Sequence, residues 1–201
     1  MLDDPDLEGH RHRTGHARAD FILGGLAVFL SMVSIYIAVR HGETMERLVA
    51  ANSWPNLQYD TSNENDAGTR NDITLNLRNT GVGPARIESF ELFYKDKPMP
   101  NSKTLLDTCC GGGKYNYASS AVIGEVLPAR ESIQFLLLRP DTNRKELWDA
   151  LNKERFSIRV RACYCSVFDE CWMMDSAARR PERAAACEMP QSTQYIDRFN
   201  G

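Results

Sequence analysis

Six cysteines, Cys109, Cys110, Cys163, Cys165, Cys171 and Cys187, are the residues of this chain whose type and spacing could do chemistry. An even set in an oxidising compartment reads as disulfides. The sharper alternative starts from Cys163-X-Cys165, with Arg159 and Arg161 at alternate positions upstream. Cationic neighbours lower a thiol pKa, and such thiols exchange disulfides or bind soft metals. The spacing argues against zinc, which favours CxxC-type pairs, and no thioredoxin-type CxxC is present. No metal and no cofactor is therefore expected, and structural bridges are the favoured reading.

The strand that carries these cysteines narrows the choice of partners. Over residues 156–168, Phe156, Ile158, Val160, Ala162, Tyr164 and Phe168 share one face, and Ser157, Arg159, Arg161, Cys163 and Cys165 share the other. The cysteines then lie on the arginine face, away from the apolar core. A three-residue turn centred on Phe168 sets Cys165 opposite Cys171, near enough to bridge. Adjacent cysteines are expected to take different partners, so one of Cys109 and Cys110 pairs with Cys163 and the other with Cys187. Six cysteines allow fifteen connectivities, and bridges closing long loops contribute about 3–4 kcal/mol each in the chain-entropy model.

Other candidates carry less. His10, His12 and His16 form a short tract that reads as part of a solvated basic tail rather than a metal site. No histidine follows His41, so histidine-based acid, base or triad chemistry is not expected in the long C-terminal part. Gly111–Gly113 lead to no Lys-Ser/Thr, which argues against a phosphate loop. Asp169 and Glu170 read as turn residues, and Trp54, Trp148 and Trp172 as packing.

What must position the cysteines is first a membrane. Residues 21–39 form an uncharged run, FILGGLAVFLSMVSIYIAV. At about 1.5 Å per helical residue it nearly crosses a hydrocarbon core of roughly 30 Å. The run exceeds a signal-peptide core of about 7–15 residues, and no small-residue cleavage site follows closely, so an uncleaved anchor over 21–40 is expected. Arg11, Arg13 and Arg18 precede it, favouring a cytoplasmic N-terminus. All cysteines follow it, which suits an oxidising outer compartment, and the absence of any Asn-X-Ser/Thr sequon favours a bacterial periplasm. Gly24, Ala27, Ser31, Ser34 and Ala38 form one stripe of small residues, a helix-pairing candidate. The helix is expected to run on through 41–53, until Pro55 forbids it.

The rest is long enough for one domain with its own core. Of the 24 Lys/Arg and 27 Asp/Glu, four and five lie in the first 40 residues, so the remainder is nearly neutral. That balance argues against a nucleic-acid binder, which would show a basic face. Residues 72–79, DITLNLRN, alternate as a half-buried strand, and NTGVGP supplies a turn. Residues 87–94 follow as a strand with a bulge or burial on both faces. Residues 95–100 read as a turn, and 121–127 and 132–139 as strands. The only helix expected outside the anchor covers 141–153, capped by Asp141 with Leu147, Trp148 and Leu151 inward. These elements predict a mostly β fold: a transmembrane helix followed by an antiparallel immunoglobulin-like sandwich over 54–178 with one short helix. Residues 1–20 and 179–201 are expected as tails, the first disordered and cytoplasmic.

LNLRNTGVGPARI resembles the strand-turn-strand entry of bacterial immunoglobulin-like modules of the cell-adhesion-related kind. VLPARESIQFLLL is similar to their approach to a core strand. The resemblance implies an immunoglobulin-like fold in a single-pass membrane protein, with no enzymatic activity and no catalytic residue. The expected function is a periplasmic binding or adaptor module of the bacterial inner membrane. Its expected partners are the lipid bilayer and a second copy or another envelope membrane protein, with no nucleic acid. The competing expectation is a thiol-redox or soft-metal-handling protein using the cysteine cluster.

Overall fold

The computed structural model describes residues 17–63, 72–188 and 191–196. The chain divides into two compact units, 1–48 and 49–201. The first is the bulk of one helix, α1, Ala17–Asn52. Its apolar residues are exposed on every side, from Phe21 to Val39. A helix apolar all round needs a non-aqueous surrounding, and this one is long and apolar enough to cross a membrane. The apolar run 21–39 and the residues that follow it up to Asn52 are one continuous helix. It begins at Ala17, so the expected tail 1–20 loses its last four residues to it. The histidine tract lies outside the described residues.

The second unit is β-rich. Its elements are β1 (Leu57–Ser62), β2 (Ile73–Asn79), β3 (Ala85–Tyr94), β4 (Lys97–Met99), α2 (Ser102–Cys110), β5 (Tyr117–Ala118) and β6 (Val126–Leu127). They continue with β7 (Ser132–Leu138), α3 (Lys145–Glu154), a 3-10 turn (Arg155–Ser157), β8 (Ile158–Cys165), β9 (Cys171–Asp175) and β10 (Glu182–Ala184). One antiparallel sheet has the order β1-β2-β7-β5, the other β10-β9-β8-β3-β4, with β6 also on β3. The alternation of β2 places Ile73, Leu75 and Leu77 in the core. In β3 the register shifts between Ile87 and Ser89, and Phe90 to Phe93 are buried or half-buried on both faces. The sheets meet through aromatic rings: Phe90 of β3 lies edge-on to Phe135 of β7 at 5.0 Å.

Asn79 ties three segments together. Its side chain accepts from Asn56 N at 3.1 Å and Gly81 N at 3.0 Å, and donates to Gly83 O at 2.8 Å and Leu127 O at 3.0 Å. Gly81 and Gly83 are required by close approach rather than by positive φ. A Cβ at either would collide with the backbone of Ser53 to Asn56.

Several expectations are corrected. Residues 102–110 form a second helix, capped by Asn101 Oδ1 accepting from Thr104 N at 2.8 Å and ended by Gly111 at φ 87°. Asp141 caps nothing: α3 begins at Lys145, and residues 141–144 turn around Asn143, which bonds both backbone groups of Asn116. Of the expected strand 121–127 only β6 pairs. Residues 95–100 hold a two-residue hairpin turn at Lys95 and Asp96, both with positive φ, leading into β4. Phe156 leaves the expected strand for the 3-10 turn, where it is 74% exposed. Of the expected tail 179–201, the described residues 179–188 and 191–196 pack on the domain. β10 adds to β9, and Tyr195 is buried, its backbone N–H bonded to Phe90 O and its ring edge-on to Phe90 and Phe135.

Candidate functional site

The cysteine face is built on β8 and its neighbours. Turn residues 167–169, closed by Ser166 N donating to Glu170 O, bring Cys165 into register with Cys171, and Asp169 takes the positive φ such a turn needs. Cys165 and Cys171 are bonded, with Cα atoms 4.0 Å apart. The other two pairings differ from expectation. Cys163 bonds Cys187 across 5.5 Å between Cα atoms, and Cys109 bonds its neighbour Cys110. The reason is location: α2 packs against α3 and β4, whereas Cys163 faces the segment that follows β10. All six cysteines are paired. Cys109–Cys110 therefore staples no distant elements; it closes a small ring at the end of α2, ahead of three glycines with positive φ.

Cys163 and Cys165 are buried, yet they lie outside the core cluster that holds Ala162 and Tyr164. They sit on the arginine face, under the segment ending at Cys187. Cys165 Sγ lies 3.7 Å from Cys187 Sγ, a contact between two disulfides with no proton to share. The sulfurs of Cys165, Cys171 and Cys187 are mutually close enough to have held a soft metal as thiolates.

The neighbouring arginines are already engaged. Arg159 Nε donates to Asp175 Oδ1 at 2.8 Å and Nη2 bonds Oδ2, while Arg161 lies 3.4 Å from Glu91 and 3.7 Å from Asp175. The Arg159 hydrogen bonds hold the Asp175 carboxyl below its ordinary range against the opposing effect of burial. The arginines thus form an ion-pair ladder across β3, β8 and β9 and serve the acids rather than the sulfurs.

On α1, Gly24, Ala27, Ser31, Ser34 and Ala38 recur at helical spacing along one side. Ser31 Oγ donates to Ala27 O and Ser34 Oγ to Leu30 O, each at 2.8 Å. A Cβ added at Gly24 would meet nothing within 4 Å.

Sequence reasoning missed Arg155. It lies past the last turn of α3, and its nature as a buried cation is visible only once β1 is laid beside it. Trp172 packs in the core and Trp148 against it, but Trp54 is 46% exposed and lines a cavity instead. No protein-family model matches the chain, and no curated protein does.

Proposed function

We propose that the chain is a membrane-anchored binding or adaptor module that acts by contact rather than catalysis, with no cofactor. Residues 21–40 hold it in the bacterial inner membrane, the N-terminus cytoplasmic and the domain after α1 periplasmic. The observation that carries this reading is the full pairing of six cysteines, all on the same side of the apolar run. The partner is a second copy or another envelope protein, met through the small-residue stripe of α1 and the exposed faces of the sheets.

We read the sheets as an immunoglobulin-like sandwich of the cell-adhesion-related kind. The orders β1-β2-β7-β5 and β9-β8-β3-β4 correspond to strands A-B-E-D and G-F-C-C′ of that architecture. The test has two parts. Reporters fused to each end give the topology, and a cytoplasmic C-terminus overturns the reading. Purification from membranes, with α1 intact or exchanged for an unrelated apolar helix, follows the partner. Loss of a co-purifying protein or of self-association on exchange supports the adaptor role, and unchanged recovery removes the role of α1.

A second reading, thiol exchange or soft-metal handling, draws on the 3.7 Å contact of Cys165 and Cys187. An incoming thiolate attacking Cys171 Sγ would form a mixed disulfide and release Cys165 as a thiolate beside the second bridge. Titration of free thiols in the denatured, unreduced protein separates the two. No reactive thiol favours staples, and two or more favour exchange.

A further inference from the structure

A cavity of about 790 Å³ opens between β1 and the segment that follows β9, and Arg155 lines it. Arg155 is 8% exposed. Its Nη1 donates to Thr61 O at 3.1 Å and Thr61 Oγ1 at 3.3 Å, while Nε is buried without a partner. No carboxylate among the described residues pairs with it. A buried, uncompensated cation is costly and calls for an anion. Tyr59, also in the lining, has its hydroxyl buried outside hydrogen-bond geometry, with Thr61 nearby.

The rest of the lining fits the same occupant. Arg179 and Arg180 are exposed and add positive charge. Asp175 is the only acid in the lining among the described residues, and Arg159 and Arg161 already hold it. Two aromatic rings give an apolar wall: Trp54, and Phe156, whose ring centroid is 4.3 Å from Arg155 Cζ. Phe156 lies over the guanidinium, and Nε keeps an unused N–H for an oxyanion.

We propose that this cavity binds a small organic anion, a carboxylate or phosphate group carried on a flat apolar body. Arg155 and Tyr59 take the oxyanion, Trp54 and Phe156 take the body, and Arg179 and Arg180 draw the anion in. The proposal goes beyond the adaptor reading and does not depend on it, since it concerns one cavity and no particular compartment.

Calorimetric titration of the detergent-solubilised full chain with phenyl phosphate, inorganic phosphate and benzyl alcohol tests it. Phenyl phosphate is expected to bind saturably and more tightly than either half-probe. Arg155→Gln should weaken phenyl phosphate and inorganic phosphate at least tenfold. Because that change could also unfold the domain, Phe156→Ala at an exposed position is the companion, weakening phenyl phosphate while leaving inorganic phosphate unchanged. Displacement of phenyl phosphate by anionic phospholipid vesicles would identify a lipid headgroup as the source of the same chemistry, and failure to displace it a free metabolite. Absence of saturable binding, or binding untouched by both substitutions, overturns the proposal.

Discussion

Arg159 and Asp175 form a two-point ion pair between β8 and β9, and Asp175, only 18% exposed at its side chain, also faces Arg161 in the strand register. Its carboxyl pKa lies below the ordinary value, chiefly through the Arg159 hydrogen bonds. A depressed carboxylate contributes stability that is present above its unfolded pKa, about 3.9, and lost as pH falls through the folded value. Asp175→Asn should therefore cost about 1–2 kcal/mol near neutral pH and flatten the loss of stability below about pH 4. Urea denaturation over a pH series checks this, and an unaltered acid limb would count against the pairing.

Asn79 satisfies four backbone groups from a fully buried position. Asn79→Leu keeps the volume but leaves buried donors and acceptors unpaired, each worth about 1–3 kcal/mol. The expected loss exceeds about 3 kcal/mol, as large as a core truncation, measured as a lowered denaturation midpoint with an unchanged slope.

Legibility followed the length and regularity of the local pattern. β2, β7 and the 165–171 hairpin were readable because strict alternation or turn chemistry decides them within a few residues. The helix at 102–110 was missed although Asn101 caps it and Gly111 ends it, since of its buried residues Ser102, Leu105, Leu106 and Cys110 only the two leucines signal an apolar face. The C-terminal segment was misread for another reason. Arg179, Arg180 and the alanines around them look solvated, and the anchoring is done by the pairing of β10, the Cys187 bridge and the buried Tyr195. Arg155 and its cavity depend on β1 and the segment after β9 converging, which no local pattern encodes.

Tyr195 closes that anchoring. Its hydroxyl lies 2.5 Å from Ser102 Oγ and donates to Phe135 O at 3.3 Å. Tyr195→Ala should cost about 3–5 kcal/mol, as large aromatic truncations do, and Tyr195→Phe about 1 kcal/mol. Truncation after residue 188 should match the alanine variant. A truncated domain with unchanged stability would show that the segment is dispensable.

Along α1, Gly24 and the side chains of Ser31 and Ser34 present little bulk, and the two hydroxyls already donate to carbonyls within the helix. Close packing of backbones, rather than hydrogen bonds across a seam, is then the expected source of association. Gly24→Leu with Ser31→Leu should weaken self-association or partner capture in bilayers, whereas Ser34→Ala alone should change little. Energy transfer between labelled helices in liposomes measures both.

The three bridges should contribute unequally. Loop closure ties each bridge to the chain it encloses: 24 residues of separation for Cys163–Cys187, six for Cys165–Cys171 and one for Cys109–Cys110. In the chain-entropy model the first contributes about 3.5 kcal/mol, the second about 2, and the third has almost no loop to restrain. Paired Cys→Ala variants should therefore lose stability in that order. The Cys163/Cys187 variant should also expose β10 and the segment beyond it to protease, because that bridge holds the segment against β8. Peptide mapping without reduction gives the connectivity directly. A peptide linking Cys109 or Cys110 to Cys163 would overturn both the pairing and the ranking, because it would close a loop of more than fifty residues.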